Sequence, residues 1–381
     1  MRESRRLSMV AERLVAPDDT ADTGSTQPAG VALAMFDGTV RVAAAAGFRT
    51  VDTATTRVAP MTVDTHHDLA SVTKIVATTA SLIALVSARA VGLDDPVHRY
   101  LPHFTGGAKD AVTVRHLLLH RGGLVEWQPL YLSATDPERA DDVIDGLPLV
   151  AAPDTVRRYS DLGFIMLGRI IRIAAGAPLA PAVSDLVTEP LGMTDTRFTP
   201  AAGPNVAMSS FGDDIERQMI ESGSPYPTPF RGRDFTMART QAVVNEVNDG
   251  NAFHVYRGVA GHAGLFSSLR DLVTFGIALA RPDEHDDEWR TEVVREFCAP
   301  GPDEGQALGF RRYPVDIDGH RVDMLGHTGF VGCAVGFVPD RDLVVALASN
   351  RLVTDGPPTP TELLWRTACT VAAERLAEVR G

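Results

Sequence analysis

The spacing of apolar and polar positions divides the chain into strand-like ends and a helical middle. Val31 to Phe36 and Thr39 to Ala46 are two short apolar runs joined by Asp37-Gly38. Such a pair predicts a β-hairpin with the type I′ turn that Asp-Gly favours. Thr50 to His66 keeps no period and predicts loop or short strand. After Ser71 the chain is apolar almost all round, with Ile75, Val76, Ala77, Ala80, Leu82, Ile83, Leu85 and Val86. A helix without a polar stripe has no face for water, so this one is expected at the centre of the fold.

Further along, Thr113 predicts the N-cap of a short helix that stops before Gly122-Gly123. A surface helix is expected within Tyr131 to Leu149, and a strongly apolar one after Tyr159-Ser160-Asp161. Pro200 to Arg257 is polar and turn-rich, a long excursion expected to cover or line a pocket. Gly258 to Ser268 is dense in glycine, which suits backbone passing close to something. Leu269 to Ala280 and Trp289 to Phe297 predict helices. Strand-like runs then return at Leu308–Arg312, Arg321–Leu325, Cys333–Val338 and Leu343–Ser349, the last pair turned by Pro339-Asp340-Arg341-Asp342. Thr361 to Val379 predicts an amphipathic closing helix.

Strands at both ends with helices between them imply an α+β fold. One antiparallel sheet would be built from both chain ends and flanked by helices. A mainly helical region, approximately 75–305, would be inserted in it, with the active site between the two parts. Leu7 to Leu14 predicts a short helix, followed by a tail from Pro17 to Gly30 expected to be loose. Residues 1–28 would thus precede a single catalytic domain over 29–381.

Composition narrows the partners. A net charge of −13 over 381 residues argues against nucleic acid or an anionic membrane surface. The acidic run Asp283 to Glu288 reads as solvated surface. Cys298, Cys333 and Cys369 are too scattered for a disulfide framework or a zinc pattern. His116 and His120 stand four apart without a glutamate in zinc-protease position, so a structural role is expected and no metal. The first residues are charged and lack the apolar stretch that export requires. No run was expected to reach the length of a membrane span. The setting expected is cytoplasmic.

The candidate chemistry begins at Ser71 and Lys74. Residues three apart on a helix share a face, so a lysine there can meet the serine hydroxyl and take its proton if burial lowers its pKa. Ser71 would lie in the first turn, where free N–H groups favour developing negative charge. Lys74 and Lys109 are the only lysines. At ordinary serine usage, a serine three residues before either arises by chance only about one time in ten. No Gly-x-Ser-x-Gly elbow is present, which counts against an α/β-hydrolase.

Ser71/Lys74, then Tyr159-Ser160-Asp161, then His327-Thr328-Gly329 resemble, in order and spacing, the three motifs of the serine β-lactamase and penicillin-binding-protein family. The resemblance is greatest to its class C and esterase branch and runs from about Ala29 to Asn350. It implies that Ser71 is the nucleophile and that Lys74 and Tyr159 transfer protons, since an ammonium beside a phenol stabilises the phenolate. It also implies an oxyanion hole from the backbone N–H groups of Ser71 and Phe330. Asp161, His327, Thr328 and Gly329 would contact substrate. Two positions depart from the family pattern. His327 stands where the third motif usually has lysine, and Asp161 where the second usually has asparagine. Both make the cleft less suited to an anionic β-lactam or a peptide C-terminus, so weak or absent β-lactamase activity is expected. Asp161 could instead pair with Lys74 or with a cationic substrate.

The activity implied is serine acyl transfer from a small-molecule ester or amide, with no cofactor. Water would resolve the acyl-enzyme in an esterase or amidase, and an amine in a transacylase of natural-product biosynthesis. The alternatives are a β-lactamase, a D-alanyl peptidase, or a catalytically silent binding protein of the same fold. Oligomeric state is not legible.

Overall fold

The computed structural model describes residues 1–16, 25–198, 203, 205–317 and 319–380. Positions 17–24 of the tail and 200–202 and 204 of the excursion lie outside the described residues. The part of the tail that is described is tied down: Thr26 donates its N–H to the Pro357 carbonyl at 2.8 Å.

Six main strands form the sheet: β1 (Gly30–Phe36), β2 (Arg41–Thr50), β3 (Arg311–Ile317), β4 (His320–Thr328), β5 (Ala334–Val338) and β6 (Leu343–Ser349). Their order is β2-β1-β6-β5-β4-β3, antiparallel throughout. The short strand Arg2–Glu3 adds a parallel edge beside β2. The strands from the two chain ends meet where Leu347 of β6 faces Leu33 of β1.

Period-two alternation sorts the strand residues onto two faces. Val345 and Leu347 of β6 face outward, where they pack with α1 (Arg5–Val15) and α7 (Thr361–Arg380) through Leu7, Ala11, Leu364, Trp365 and Ala368. Val344, Ala346 and Ala348 face inward, toward α5 (Leu269–Ala280) and the helical region. Gly276 lets α5 lie close to the sheet, since a Cβ there would stand 2.3 Å from Val344 Cγ1.

The inner layer holds α2 (Ala80–Ser87), α3 (Val114–Leu118), α4 (Asp161–Ala175) and, beyond α5, α6 (Thr291–Cys298). A π-helical turn, Lys74–Thr79, leads into α2. Every residue from Val72 to Leu85 is buried. The segment Ala70–Ser87, with 18 residues and a mean hydropathy of 1.6, is apolar and long enough to cross a membrane by composition, against expectation. It is 83 % buried inside the protein, where it forms the core helix instead.

Two local expectations need correction. The β1–β2 turn is not a two-residue type I′ turn, because Phe36 pairs with Arg41 and four residues bridge the strands. Asp37 Oδ1 organises that loop by accepting from the N–H groups of Thr39 and Val40 at 3.1 and 3.0 Å. The strand placed at Leu308–Arg312 runs instead from Arg311 to Ile317. Its two exposed positions, Pro314 and Asp316, hide it in the sequence, as befits an edge strand.

Candidate active site

Ser71, the candidate nucleophile, sits on a strained turn. His67–Asp68 pairs with Phe266–Ser267, and the Asp68 carboxylate accepts from the N–H of Ala70 at 2.8 Å and of Asn248 at 2.6 Å. Ala70, directly before Ser71, is left-handed at φ +43°. A side chain there is held only by surroundings that over-determine it. Ser71 follows in a 3₁₀ turn, Ala70–Val72. Lys74 Nζ then donates to Ser71 Oγ at 2.8 Å, as the three-residue spacing predicts.

Lys74 is fully buried. Its ammonium lies 2.7 Å from Asp161 Oδ1 and donates to the His262 carbonyl at 3.3 Å. It is 5.0 Å from the centre of the Tyr159 ring. Ser71 and Tyr159 therefore flank one ammonium and open onto one cavity. Burial opposes the charge on Lys74, but the Asp161 carboxylate and the neighbouring Tyr159 outweigh it, so its pKa lies above the ordinary lysine value. This corrects the expectation that burial would lower it: the helix desolvates Lys74 as foreseen, yet a carboxylate came with it.

The second motif is held from below. Ser160 caps α4 by accepting from the Gly163 N–H at 3.2 Å, and its hydroxyl donates to the Val125 carbonyl at 2.7 Å. The Ser160 N–H donates to His120 Nδ1 at 3.0 Å. His120 also stacks on Tyr159, ring centres 4.6 Å apart. His116 completes a capping box with Thr113 at the start of α3. Both histidines thus have structural work.

The third motif ends β4. Gly329 is needed where it stands, because a Cβ would meet the Leu69 carbonyl oxygen at 2.4 Å. The end of β4 therefore presses on the nucleophile turn. His327 is buried, and its Nδ1 donates to the Thr328 carbonyl at 2.7 Å. Burial first, then the charges of Arg311 and Lys74, push its pKa well below the ordinary value, so the ring is neutral as expected. Phe330, 44 % exposed, stands at the rim of the cavity.

The cavity is about 330 Å³ and is walled by all three motifs. The excursion lines it as anticipated, through residues such as Glu216, Tyr226 and Asp249. Burial and then the adjacent Asp249 raise the Glu216 pKa above the carboxylate range. The glycine-dense stretch passes α4 so closely that a Cβ on Gly261 would stand 2.1 Å from the Phe164 carbonyl oxygen. Sequence reading missed Arg311. It sits on β3 opposite Gly326 and lines the cavity 5.5 Å from the Tyr159 ring centre. The cleft therefore has a cation on its wall despite the neutral His327, alongside the Asp161 carboxylate. Only the strand pairing puts Arg311 beside the third motif.

A half-buried serine paired with a fully buried lysine between a sheet and a helical region, with a tyrosine beside them, is the arrangement of a serine hydrolase of the β-lactamase type of fold. The chain belongs to the Beta-lactamase family, whose model matches residues 13–368. It is 26 % identical over 317 residues to a putative D-alanyl-D-alanine carboxypeptidase of Escherichia coli K12, covering 76 % of this chain and 70 % of that protein. It resembles in fold EstCE1, a hydrolase with promiscuous acyltransferase activity, at 20 % identity and a TM-score of 0.64 over 98 % of this chain and 97 % of the other. A class C β-lactamase from Rhodobacter sphaeroides is likewise similar, at 20 % identity and a TM-score of 0.61, covering 93 % and 95 %.

Proposed function

We propose that the protein is a serine acyl-transfer enzyme acting on a small-molecule ester or amide. Ser71 attacks the carbonyl carbon and forms an acyl-enzyme, which water or an amine then resolves. Lys74 and Tyr159 handle the proton that leaves Ser71 and reaches the departing group. The backbone N–H groups of Ser71 and Phe330 stabilise the oxyanion, while His327, Thr328 and Gly329 present the strand along which substrate lies. The observation that carries the reading is the placement of Ser71 Oγ 2.8 Å from a buried Lys74 whose ammonium also faces Tyr159. Every group the reaction needs is a side chain or backbone N–H of this chain.

The test is intact-mass analysis after treatment with a fluorophosphonate and with short p-nitrophenyl esters. A single adduct on Ser71, absent in Ser71→Ala, is expected. Comparing turnover with and without an amine acceptor separates hydrolysis from acyl transfer. A wild-type protein that takes up neither reagent is a silent binding member of the family.

A second reading is favoured by Arg311. A cation on the cavity wall suits a substrate with a free carboxylate, as in a D-alanyl peptide, and the Escherichia coli relative is named for that activity.

A further inference from the structure

The peptide that joins Gly329 to Phe330 is held from one side only. Its carbonyl, that of Gly329, accepts the Gly332 N–H at 3.0 Å across a tight turn and the Thr361 hydroxyl at 3.2 Å. A trans peptide is planar and its N–H points away from its C=O, so both bonds turn the Phe330 N–H to the opposite side. Among the described residues, neither that N–H nor the Ser71 N–H donates to any group. Ser71 and Phe330 both line the cavity, and their turns touch: a Cβ on Gly329 would lie 3.5 Å from Ala70 Cβ.

The next carbonyl along, that of Phe330, is held as well. Arg351 Nε donates to it at 2.8 Å, while Arg351 Nη1 donates to the Thr359 carbonyl at 3.3 Å. Thr359 is fastened in turn, since its N–H and hydroxyl both donate to the Thr26 carbonyl, at 3.1 and 2.9 Å. Arg351, Thr359 and Thr361 are all buried, where such bonds are stronger than in water. The segment that leads from β6 into α7 thus grips both carbonyls that flank Phe330.

We propose that Thr361 and Arg351 are positioning residues for the Phe330 N–H, the oxyanion donor of the acyl-transfer reading above, on which this inference rests. Thr361 fixes the plane of the donor amide. It also polarises that amide, because a carbonyl that accepts a hydrogen bond makes its own N–H a stronger donor. Arg351 holds the following peptide with a charge-assisted bond. Both grips exist before substrate arrives, so the donor needs no reorganisation as negative charge develops on the substrate oxygen. Neither residue exchanges a proton or forms a bond in the reaction.

The test uses the full chain carrying Thr361→Val, which keeps the shape of the side chain and loses the hydroxyl, and Thr361→Ser, which keeps the hydroxyl. Acylation by p-nitrophenyl acetate is followed over a range of ester concentration. The inhibition constant of phenylboronic acid is measured beside it, since that acid adds to Ser71 Oγ and presents a tetrahedral oxygen where the oxyanion forms. In Thr361→Val the acylation rate should fall about three- to tenfold, with KM within about twofold, because the lost support acts on the transition state. The boronic acid constant should rise by the same factor. Thr361→Ser should return both to within about twofold of the wild type.

Unchanged acylation in Thr361→Val overturns the proposal. So does a fall in acylation with an unchanged boronic acid constant, which would place the loss away from the oxyanion. Should Thr361→Val fail to fold by circular dichroism, Arg351→Lys decides: it keeps a cation, loses the Nε donor to Phe330, and should show the same paired loss, whose absence overturns the proposal. A wild-type protein with no acyl-enzyme on Ser71 would remove the proposed function itself, whereas a wild-type acyl-enzyme with Thr361→Val unaffected removes only this inference.

Discussion

The Ser160 N–H donates to His120 Nδ1 at 3.0 Å, which ties the start of α4 to the segment after α3. His120 adopts φ +57° to offer that nitrogen, and its ring packs between Tyr159 and Phe164 at 4.6 and 5.1 Å. His120→Phe keeps a ring in that place but leaves the Ser160 N–H without an acceptor. An unsatisfied buried donor costs about 1–3 kcal/mol. Misplacement of Tyr159 should lower acylation about tenfold or more. Urea unfolding and burst kinetics check both. His116→Ala removes only the bond from the Thr113 N–H to Nδ1 at 3.2 Å and leaves the Thr113 cap in place, so about 0.5–1 kcal/mol of stability should go while acylation stays unchanged.

Gly329 and Leu69 make the second contact worth testing. Because a Cβ at 329 would stand 2.4 Å from the Leu69 carbonyl oxygen, Gly329→Ala must part the end of β4 from the nucleophile turn. The proposed oxyanion donor, the N–H of the next residue Phe330, would then shift away from Ser71. Acylation by a p-nitrophenyl ester should fall about a hundredfold, with a folded protein by circular dichroism. Wild-type acylation in Gly329→Ala would show that the turn and the strand need not touch.

Much of this site was legible in the sequence, and the reasons are physical. The Ser71–Lys74 contact follows from helical spacing alone, and the burial of Lys74 follows from the apolar run behind it. The charge state of Lys74 was half legible: Asp161 was one of two partners the sequence offered it, but Asp161 lies on a different helix and only the tertiary fold brings the two to 2.7 Å. Arg311 was hidden for a similar reason: it enters the cavity through antiparallel pairing with Gly326. The β3 strand itself was misplaced because Pro314 and Asp316 break the apolar pattern that marks buried strands. The outer helix α1 was legible as a short helix at Leu7 to Leu14 but without its partner, which is the sheet face shared with α7.

Stability should fall on acidification below about pH 6.5. His67, His120 and His327 are buried and neutral, and burial is the largest cause in each case. For His67 the folded value drops to about 3. A lowered folded pKa means that the unfolded chain binds protons the native state refuses. Stability is thus fully present above the unfolded value near 6.5 and is lost as pH falls toward the folded values. Each such histidine contributes a slope of about 1.4 kcal/mol per pH unit in that window. Asp68 acts in the other direction, since burial raises its pKa to about 6 and the native state takes up its proton first. Its contribution is present below the unfolded value of 3.8 and is lost as pH rises through about 6. Glu216, raised to about 8 by burial and then Asp249, acts in the same direction as Asp68. The three histidines outnumber the two carboxylates, so the urea midpoint should drop between about pH 6.5 and pH 5, and less steeply in His67→Gln. A flat midpoint would mean that these rings admit protons in the fold.

Arg311 separates the two substrate readings. Its side chain lines the cavity, faces Tyr159 at 5.5 Å and lies 3.5 Å from Glu362, which is itself on the wall. That spacing to Glu362 is loose, so a substrate carboxylate could engage the guanidinium with two parallel hydrogen bonds in its stead. Arg311→Gln keeps a polar side chain but removes the charge. If the substrate carries a free carboxylate, kcat/KM on a D-alanyl peptide should drop about 10- to 100-fold, since a charge-assisted hydrogen bond contributes about 1.5–3 kcal/mol. Activity on neutral p-nitrophenyl esters should stay within about twofold, because none of the acyl-transfer groups is touched. A parallel loss on both substrates would place Arg311 in support of Tyr159 and not on the substrate. No measurable turnover of the peptide by the wild type, with the ester turned over, would leave the esterase or transacylase reading and set the D-alanyl peptide aside.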